Sequence, residues 1–224
     1  MIQPQSWSEF LQGAESRFPR MGNYSFDLGN AHWTVLDSNP YVDWEDPALK
    51  SWLESDLRRA SKATWRFVAF HHPGFNSSTA HFQDQWMRLL SPIFEKSKVQ
   101  MVFSGHVHAY QRSLPLTFKP DPAAPAKTGQ SRQGEVSGSF SLDKVFDGIK
   151  ATKAKGIIYV ISGAGGAELY DTKQDDKPET WQPFTKIMVS TRHSFTVLDL
   201  DGRHAELRQL SEDGTEIDHF VLTQ

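Results

Sequence analysis

The alternation of apolar and polar positions predicts that the chain opens with a short helix and a β-hairpin. Residues 6–9 match a helix capping box, which predicts a short helix that ends before Pro19. Two strand-like runs within residues 24–37 flank Gly29-Asn30, a dipeptide that suits a tight turn. Asp46-Pro47 is typical of a helix start, and apolar residues then recur at helical spacing through Leu57.

Two nearly continuous apolar runs follow, at residues 65–71 and 99–104, and they have the pattern of strands covered on both faces. Residues 85–96 between them have helical periodicity, so the order predicts a βαβ unit with parallel neighbouring strands. Ligands bind beyond the carboxyl ends of parallel strands. We therefore expect the histidines that follow the two runs to meet in one crevice: His71, His72, His106 and His108.

The second half of the chain contains a polar segment and then more strands. Residues 115–155 are rich in Pro, Gly, Ser and Lys, which predicts a mobile surface insertion rather than core. Residues 156–162 predict a further strand, closed by the glycine-rich run 163–166. Residues 193–222 alternate apolar and polar positions across two Asp-Gly turns, which predicts an antiparallel meander.

Composition and charge narrow the chemistry. The 224 residues fit one large α/β domain or two small ones. Lys and Arg number 24 against 27 Asp and Glu, so no global basic field exists to hold nucleic acid or an anionic membrane. The absence of cysteine excludes disulfides, thiolate metal sites and cysteine nucleophiles. No run approaches the ~18 apolar residues of a membrane helix, and the first ten residues do not resemble a signal peptide.

The segment Gly105-His106-Val107-His108 carries the strongest chemical signal. It places two imidazoles two residues apart on a turn, where they can face a shared metal centre. Such a short motif also arises by chance, and two loop histidines bonded to backbone are the alternative. His71, at the end of the preceding apolar strand, adds weight to the metal interpretation.

These motifs resemble a known family. The runs VAFHHP and VFSGHVHAYQR, with Asn76-Ser77 in the loop between them, resemble the carboxyl half of the calcineurin-like metallophosphoesterases, and in particular the purple acid phosphatases. The similarity covers about Tyr24 to Arg112 and resumes at residues 156–166 and in the meander. It implies a four-layer α/β/β/α sandwich without its amino-terminal half. Residues 1–224 would then form the carboxyl-terminal part of a single metallophosphoesterase domain, with a loop insertion at about 115–155.

The resemblance also implies a site and a reaction. His71 and His106 would bind one metal ion, His108 would bind the other, and His81 would hold the substrate phosphate and serve as a proton donor. The cofactors would be two divalent or trivalent ions of iron, zinc or manganese. A metal-bound hydroxide would then hydrolyse a small-molecule phosphomonoester. The same resemblance favours a periplasmic or secreted location.

The chain departs from the family pattern in one respect. The family motifs DxH, GDxxD and GNHE do not occur in it. Two adjacent cations without a bridging carboxylate would repel each other, whereas three histidines alone could hold a single zinc ion. Asp37 and Asp43 are candidate replacements, although turn and strand-end roles suit them better. Because these motifs are missing, a non-catalytic truncated fragment or binding module is one alternative. A phosphodiesterase or nucleotide pyrophosphatase of the same superfamily is another, since loops set the choice of substrate.

Three further features have two interpretations each. His72 lies either behind the metal ligands or against backbone. Arg112 either contacts phosphate or anchors its loop on a carboxylate, and the anchor is the commoner role. The glycines of 163–166 could cradle a phosphate, but without a P-loop lysine they favour a tight turn.

Overall fold

The computed structural model describes residues 22–121 and 134–224, in which a seven-stranded mixed β-sheet is the central element. The helix predicted before Pro19 lies outside these residues. The strands are β1 (Tyr24–Leu28), β2 (Ala31–Val35), β3 (Trp65–Ala69), β4 (Met101–Ser104), β5 (Tyr110–Ser113), β6 (Leu116–Pro120), β7 (Gly138–Leu142), β8 (Ile158–Ser162), β9 (Thr185–Val189), β10 (Ser194–Asp201), β11 (His204–Ser211) and β12 (Glu216–Thr223).

The large sheet has the order β1-β2-β3-β4-β8-β5-β9. Its centre, from β2 to β8, is parallel, while β1, β5 and β9 run antiparallel to their neighbours. The strands β10, β11 and β12 form a second, antiparallel sheet, and β6 pairs with β7. The predicted hairpin, the parallel pair β3 and β4, and the terminal meander are confirmed.

Within the described residues, two α-helices accompany the sheet, α1 (Pro47–Arg59) and α2 (Ser91–Lys96). The predicted start of α1 is confirmed, because the Asp46 side chain accepts a hydrogen bond from the backbone N–H of Ala48 at 2.7 Å. The helix predicted over 85–96 is instead divided into a 3-10 helix (Trp86–Leu90) and α2. Proline in the first turn of α2 explains the division, because it cannot donate a hydrogen bond to the preceding turn. No helix among the described residues is long and apolar enough to cross a membrane.

Hydrophobic cores cover both faces of the large sheet. On one face, α1, α2 and the β6 strand bury Leu53, Phe94 and Phe118. On the other, the large sheet packs against the β10–β12 sheet, where Phe67 and Phe220 are buried. This arrangement confirms the α/β class. Its described layers are a helical layer, the large sheet and the small sheet.

The segment 115–155 is more than the predicted surface insertion. It contains β6 and β7, and Leu116, Phe118 and Phe146 are each no more than 3% exposed. The prediction of surface rather than core is therefore wrong for these residues. The composition is misleading here because these three buried apolar residues are few among many small and polar neighbours. Residues 122–133 of this segment lie outside the described residues.

A buried ion pair connects the two sheets. Arg112 of β5 donates from Nε and Nη2 to the carboxylate of Asp218 on β12, at 2.5 and 2.8 Å. The hydroxyl of Tyr110 donates to the same carboxylate at 2.7 Å, and the Arg112 guanidinium lies 4.6 Å from the centre of the Phe220 ring. Arg112 therefore anchors its segment on a carboxylate. The guanidinium is fully engaged by partners within the core, which excludes the alternative contact with phosphate.

The substitution Asp218→Asn is expected to destabilise the fold by about 3 kcal/mol, because it leaves a buried guanidinium without its counter-charge. Urea unfolding measures this loss. Asp199→Asn on β10 is the matched control, since it breaks an exposed pair with Arg208 and should change stability little. Equal losses in the two variants would contradict the role assigned to Asp218.

Candidate metal centre

Two histidines meet where the parallel strands β3 and β4 end. His71 lies two residues beyond β3, and His106 lies two residues beyond β4. The backbone N–H of Gly105 donates to the carbonyl of His71 at 3.0 Å, which joins the two strand exits. The Nε2 atom of His71 and the Nδ1 atom of His106 are 3.1 Å apart. The structure therefore brings these two predicted ligands together at the expected edge of the sheet.

A carboxylate and a third histidine complete the cluster. The Oδ2 atom of Asp84 lies 3.2 Å from Nε2 of His106 and 3.1 Å from Nδ1 of His81. The potential ligand atoms form two groups, each within 4.8 Å: His71, His72 and His106, and His81, Asp84 and His106. His106 belongs to both groups because its two ring nitrogens face different neighbours.

His108 is separated from this cluster. Its Nδ1–H donates to the carbonyl of Glu168 at 2.7 Å, and its ring stacks on Tyr170 with centroids 4.1 Å apart. Neither group of potential ligands within the described ranges includes it. The two histidines of the GHVH turn thus face different surroundings, although the sequence presents them as a pair.

His72 is buried behind the strand ends. The hydroxyl of Ser38 accepts the backbone N–H groups of His71 and His72 at 3.1 and 2.9 Å, and it bonds Nδ1 of His72 at 2.9 Å. Burial, together with the nearby His106 and His71 rings, lowers the pKa of His72 to about 4. His72 therefore stays neutral near pH 7 and supports the cluster from the inner side.

The cluster favours neutral imidazoles. Desolvation lowers the pKa of His71, and the rings of His108 and His81 lower it further. Desolvation also lowers the pKa of His106, with added effects from His81 and His71. Since a metal ion binds the lone pair of a neutral imidazole, this electrostatic setting favours a cation over bound protons.

Backbone strain is concentrated at the same place. His81 and His106 have φ angles of 58° and 63°, in the left-handed region that non-glycine residues rarely adopt. They account for two of the four such non-glycine residues in the described part of the chain. Strain of this kind costs of order 1–3 kcal/mol per residue and tends to occur at functional sites. It supports a functional role for this pair of histidines.

Gly163 places β8 against the histidine turn. A Cβ atom at this position would lie 1.9 Å from the carbonyl oxygen of Val107, so the close approach requires glycine. The backbone N–H of Gly163 donates to the carbonyl of Ala109 at 3.1 Å. The glycine-rich run therefore packs against the turn that carries His106 and His108, a role that its sequence alone did not indicate.

The two aspartates proposed as replacement carboxylates, Asp37 and Asp43, make contacts within their own loops. Asp37 accepts the backbone N–H of Asn39 at 2.9 Å, and Asp43 accepts that of Glu45 at 3.0 Å. Both are loop-capping contacts. Asp84 is the site residue that sequence reasoning missed. Its one signal is the spacing of three residues from His81, which places an acid and an imidazole within reach of each other.

A polar cleft of about 670 Å³ opens beside His81 and Asp84. Its hydroxyl and amide groups come from Ser77, Ser78, Thr79, Gln83, Gln174, Thr180 and Gln182. Asp171 orders one wall, because its carboxylate accepts hydrogen bonds from the hydroxyls of Ser78 and Thr79, the latter at 2.6 Å. The cleft is large enough for a small organic molecule.

Comparison with known proteins finds similarity to one family. Residues 3–110, 108 of the 224 residues, match the sequence profile of the family described as Calcineurin-like phosphoesterase. Purple acid phosphatase 18 of Arabidopsis thaliana is 36% identical over 121 residues, covering 50% of this chain and 27% of that protein. Phosphoenolpyruvate phosphatase of Allium cepa is 40% identical over 99 residues, covering 42% and 20%.

Solved structures resemble this chain in fold. A purple acid phosphatase from yellow lupin seeds superposes with a TM-score of 0.63 at 19% identity, covering 90% of this chain and 32% of that one. The structure of PhoD gives a TM-score of 0.53 at 14% identity, covering 100% and 48%. The chain spans about a quarter of the length of the curated relatives it matches. The similarity to this family and to purple acid phosphatases implies metal ions as cofactors.

Proposed function

We propose that this chain contributes the histidine part of a metal-dependent site that hydrolyses phosphate esters. The observation that carries the proposal is the 3.1 Å approach of His71 Nε2 to His106 Nδ1 at the ends of two parallel strands. Two ring nitrogens at this distance share at most one proton, so at least one lone pair is available. A bound cation would satisfy both nitrogens. The similarity to calcineurin-like phosphoesterases supports the same chemistry.

The donor set suits the proposed ions. Imidazole nitrogens with a carboxylate nearby are the ligands that zinc, iron and manganese prefer. We infer that His71 and His106 hold one ion and that His108 contributes to a second. The second ion rests on the family resemblance, because His108 is bonded to the Glu168 carbonyl in the structure. When bound, the ions would supply positive charge for the phosphoryl oxygens and a more acidic water.

The protein residues would bind and orient the substrate. His81 lies between the metal cluster and the cleft, where its ring can hold the phosphate and pass a proton to the leaving oxygen. The hydroxyl and amide groups of the cleft would hold the organic part of a small-molecule ester. Relatives named as phosphatases favour a phosphomonoester over the diester and pyrophosphate alternatives. A location outside the cytoplasm is also inferred from the purple acid phosphatase resemblance.

The proposal is tested by metal titration and hydrolysis of an aryl phosphate by the purified chain. We expect binding of iron, zinc or manganese by calorimetry, metal-stimulated hydrolysis, and loss of both with a chelator. The variant His108→Ala should reduce the metal stoichiometry from two to one and lower the rate. His204→Ala, an exposed histidine at the start of β11, is the matched control and should leave both unchanged.

The outcomes separate the candidate functions. Failure to bind any of the three metals would overturn the proposal. A single ion per chain, unaffected by His108→Ala, would reject the dinuclear centre. Metal binding without hydrolysis would support the second candidate, a non-catalytic metal-binding module, which the separation of His108 from the cluster favours.

A further inference from the structure

Asp84 occupies a central position between two site histidines. It is 7% exposed and lies just before the 3-10 helix Trp86–Leu90. Its backbone N–H donates to the carbonyl of His81 at 3.1 Å, which closes the turn that carries both residues. One carboxylate oxygen, Oδ2, lies within hydrogen-bond distance of both His81 and His106.

These contacts determine which ring nitrogens carry hydrogen. An ionised carboxylate only accepts hydrogen bonds, so each ring nitrogen that faces Oδ2 must be an N–H. For His106 this nitrogen is Nε2, and for His81 it is Nδ1. A neutral imidazole carries one hydrogen, so the lone pairs fall on the opposite atoms. Nδ1 of His106 then faces Nε2 of His71, where the proposed metal ion binds.

We propose that Asp84 is a positioning residue that sets the tautomers of His106 and His81 together. This inference rests on the proposed function. Through His106, Asp84 presents Nδ1 to the metal ion. Through His81, it holds the ring by Nδ1–H, so that Nε2 is the atom that takes up a proton and, once protonated, donates it to the phosphate or the leaving oxygen. Both histidines have left-handed backbone conformations, so a shared carboxylate also holds their rings in place. Carboxylates that orient metal-binding imidazoles affect metal affinity by about 10–100-fold.

The first test reads the tautomers directly in the metal-free chain. Side-chain ¹⁵N NMR at mildly alkaline pH distinguishes a protonated from an unprotonated ring nitrogen. We expect His106 to carry its hydrogen on Nε2 and His81 on Nδ1. A hydrogen on Nδ1 of His106 would overturn the inference. This measurement requires no substitution and no activity.

The second test uses Asp84→Asn with Asp27→Asn as the matched control. Asp27 also bonds a histidine, with Oδ1 2.7 Å from Nδ1 of His32, but it lies on β1 away from the cluster. Asp84→Asn should mix the tautomers of both site histidines and weaken zinc binding about 10–100-fold. Asp27→Asn should change neither, and Asp84→Glu should restore most of the affinity.

The readouts distinguish this inference from the proposed function. If NMR shows the expected tautomers but the chain binds no metal ion, the proposed metal site is rejected and the role of Asp84 is retained. Zinc that perturbs Nε2 of His106 instead of Nδ1 would make Asp84 a metal ligand and overturn the positioning role. Unchanged zinc affinity in Asp84→Asn would overturn it as well.

Discussion

Replacing His106 by alanine is expected to abolish metal binding by the cluster and to lower kcat for an aryl phosphate by at least about a thousandfold. His106 is the residue common to both groups of potential ligands, with Nδ1 toward His71 and Nε2 toward Asp84. A bound metal supplies several kcal/mol of stabilisation to the transition state. The loss of ~4 kcal/mol corresponds to about a thousandfold in rate.

The measurements for His106→Ala are a zinc titration by calorimetry and steady-state hydrolysis. His219→Ala is the control, because His219 is a β12 residue that pairs with Glu206 at 2.9 Å, away from the cluster. The control should match the unsubstituted chain in both assays. Wild-type stoichiometry and affinity in His106→Ala would show that other residues hold the ion.

The substitution Gly163→Ala is expected to destabilise the chain by about 3 kcal/mol or more, because overpacking a close contact typically costs about 1–3 kcal/mol and occasionally more. The added Cβ would lie 1.9 Å from the Val107 carbonyl oxygen, a distance that two non-bonded heavy atoms cannot adopt. Backbone cannot rotate away as the end of a flexible side chain can. The turn carrying His106 must therefore shift, and zinc affinity should fall together with stability.

Gly165→Ala is the matched control for this prediction. A Cβ atom on Gly165 would meet nothing within 4 Å, although the residue lies only two positions further along the same glycine-rich run. Urea unfolding and zinc titration of both variants separate a packing requirement from a general need for flexibility. Similar losses in the two variants would indicate that the whole run, and not the contact with Val107, matters.

Local patterns predicted the elements that present the site. The apolar run that ends in His71 and the run that ends before Gly105 are parallel neighbours, as the strand-helix-strand order required. The turns at Gly29 and Gly202 lie between antiparallel strands, as their dipeptides indicated. Periodicity and turn chemistry depend on neighbouring residues in the chain, so contiguous sequence contains this information.

The composition of residues 115–155 gave a wrong prediction because an average over many residues conceals a few apolar side chains that are buried. Leu116 and Phe118 are buried against the helical layer, although most of their neighbours are small or polar. The contribution of one apolar residue depends on which surface it meets. That surface is formed by elements far away in the sequence.

The sequence by itself determined the parallel pairing of β3 and β4, the placement of His71 and His106 at one edge of the sheet, and the resemblance to calcineurin-like phosphoesterases. Only the tertiary structure decided that Asp84 lies between His81 and His106, that His108 faces Glu168 and that Arg112 pairs with Asp218. The physical reason is that a hydrogen bond depends on the position and direction of individual atoms. Those positions follow from the packing of distant segments, which no local pattern encodes.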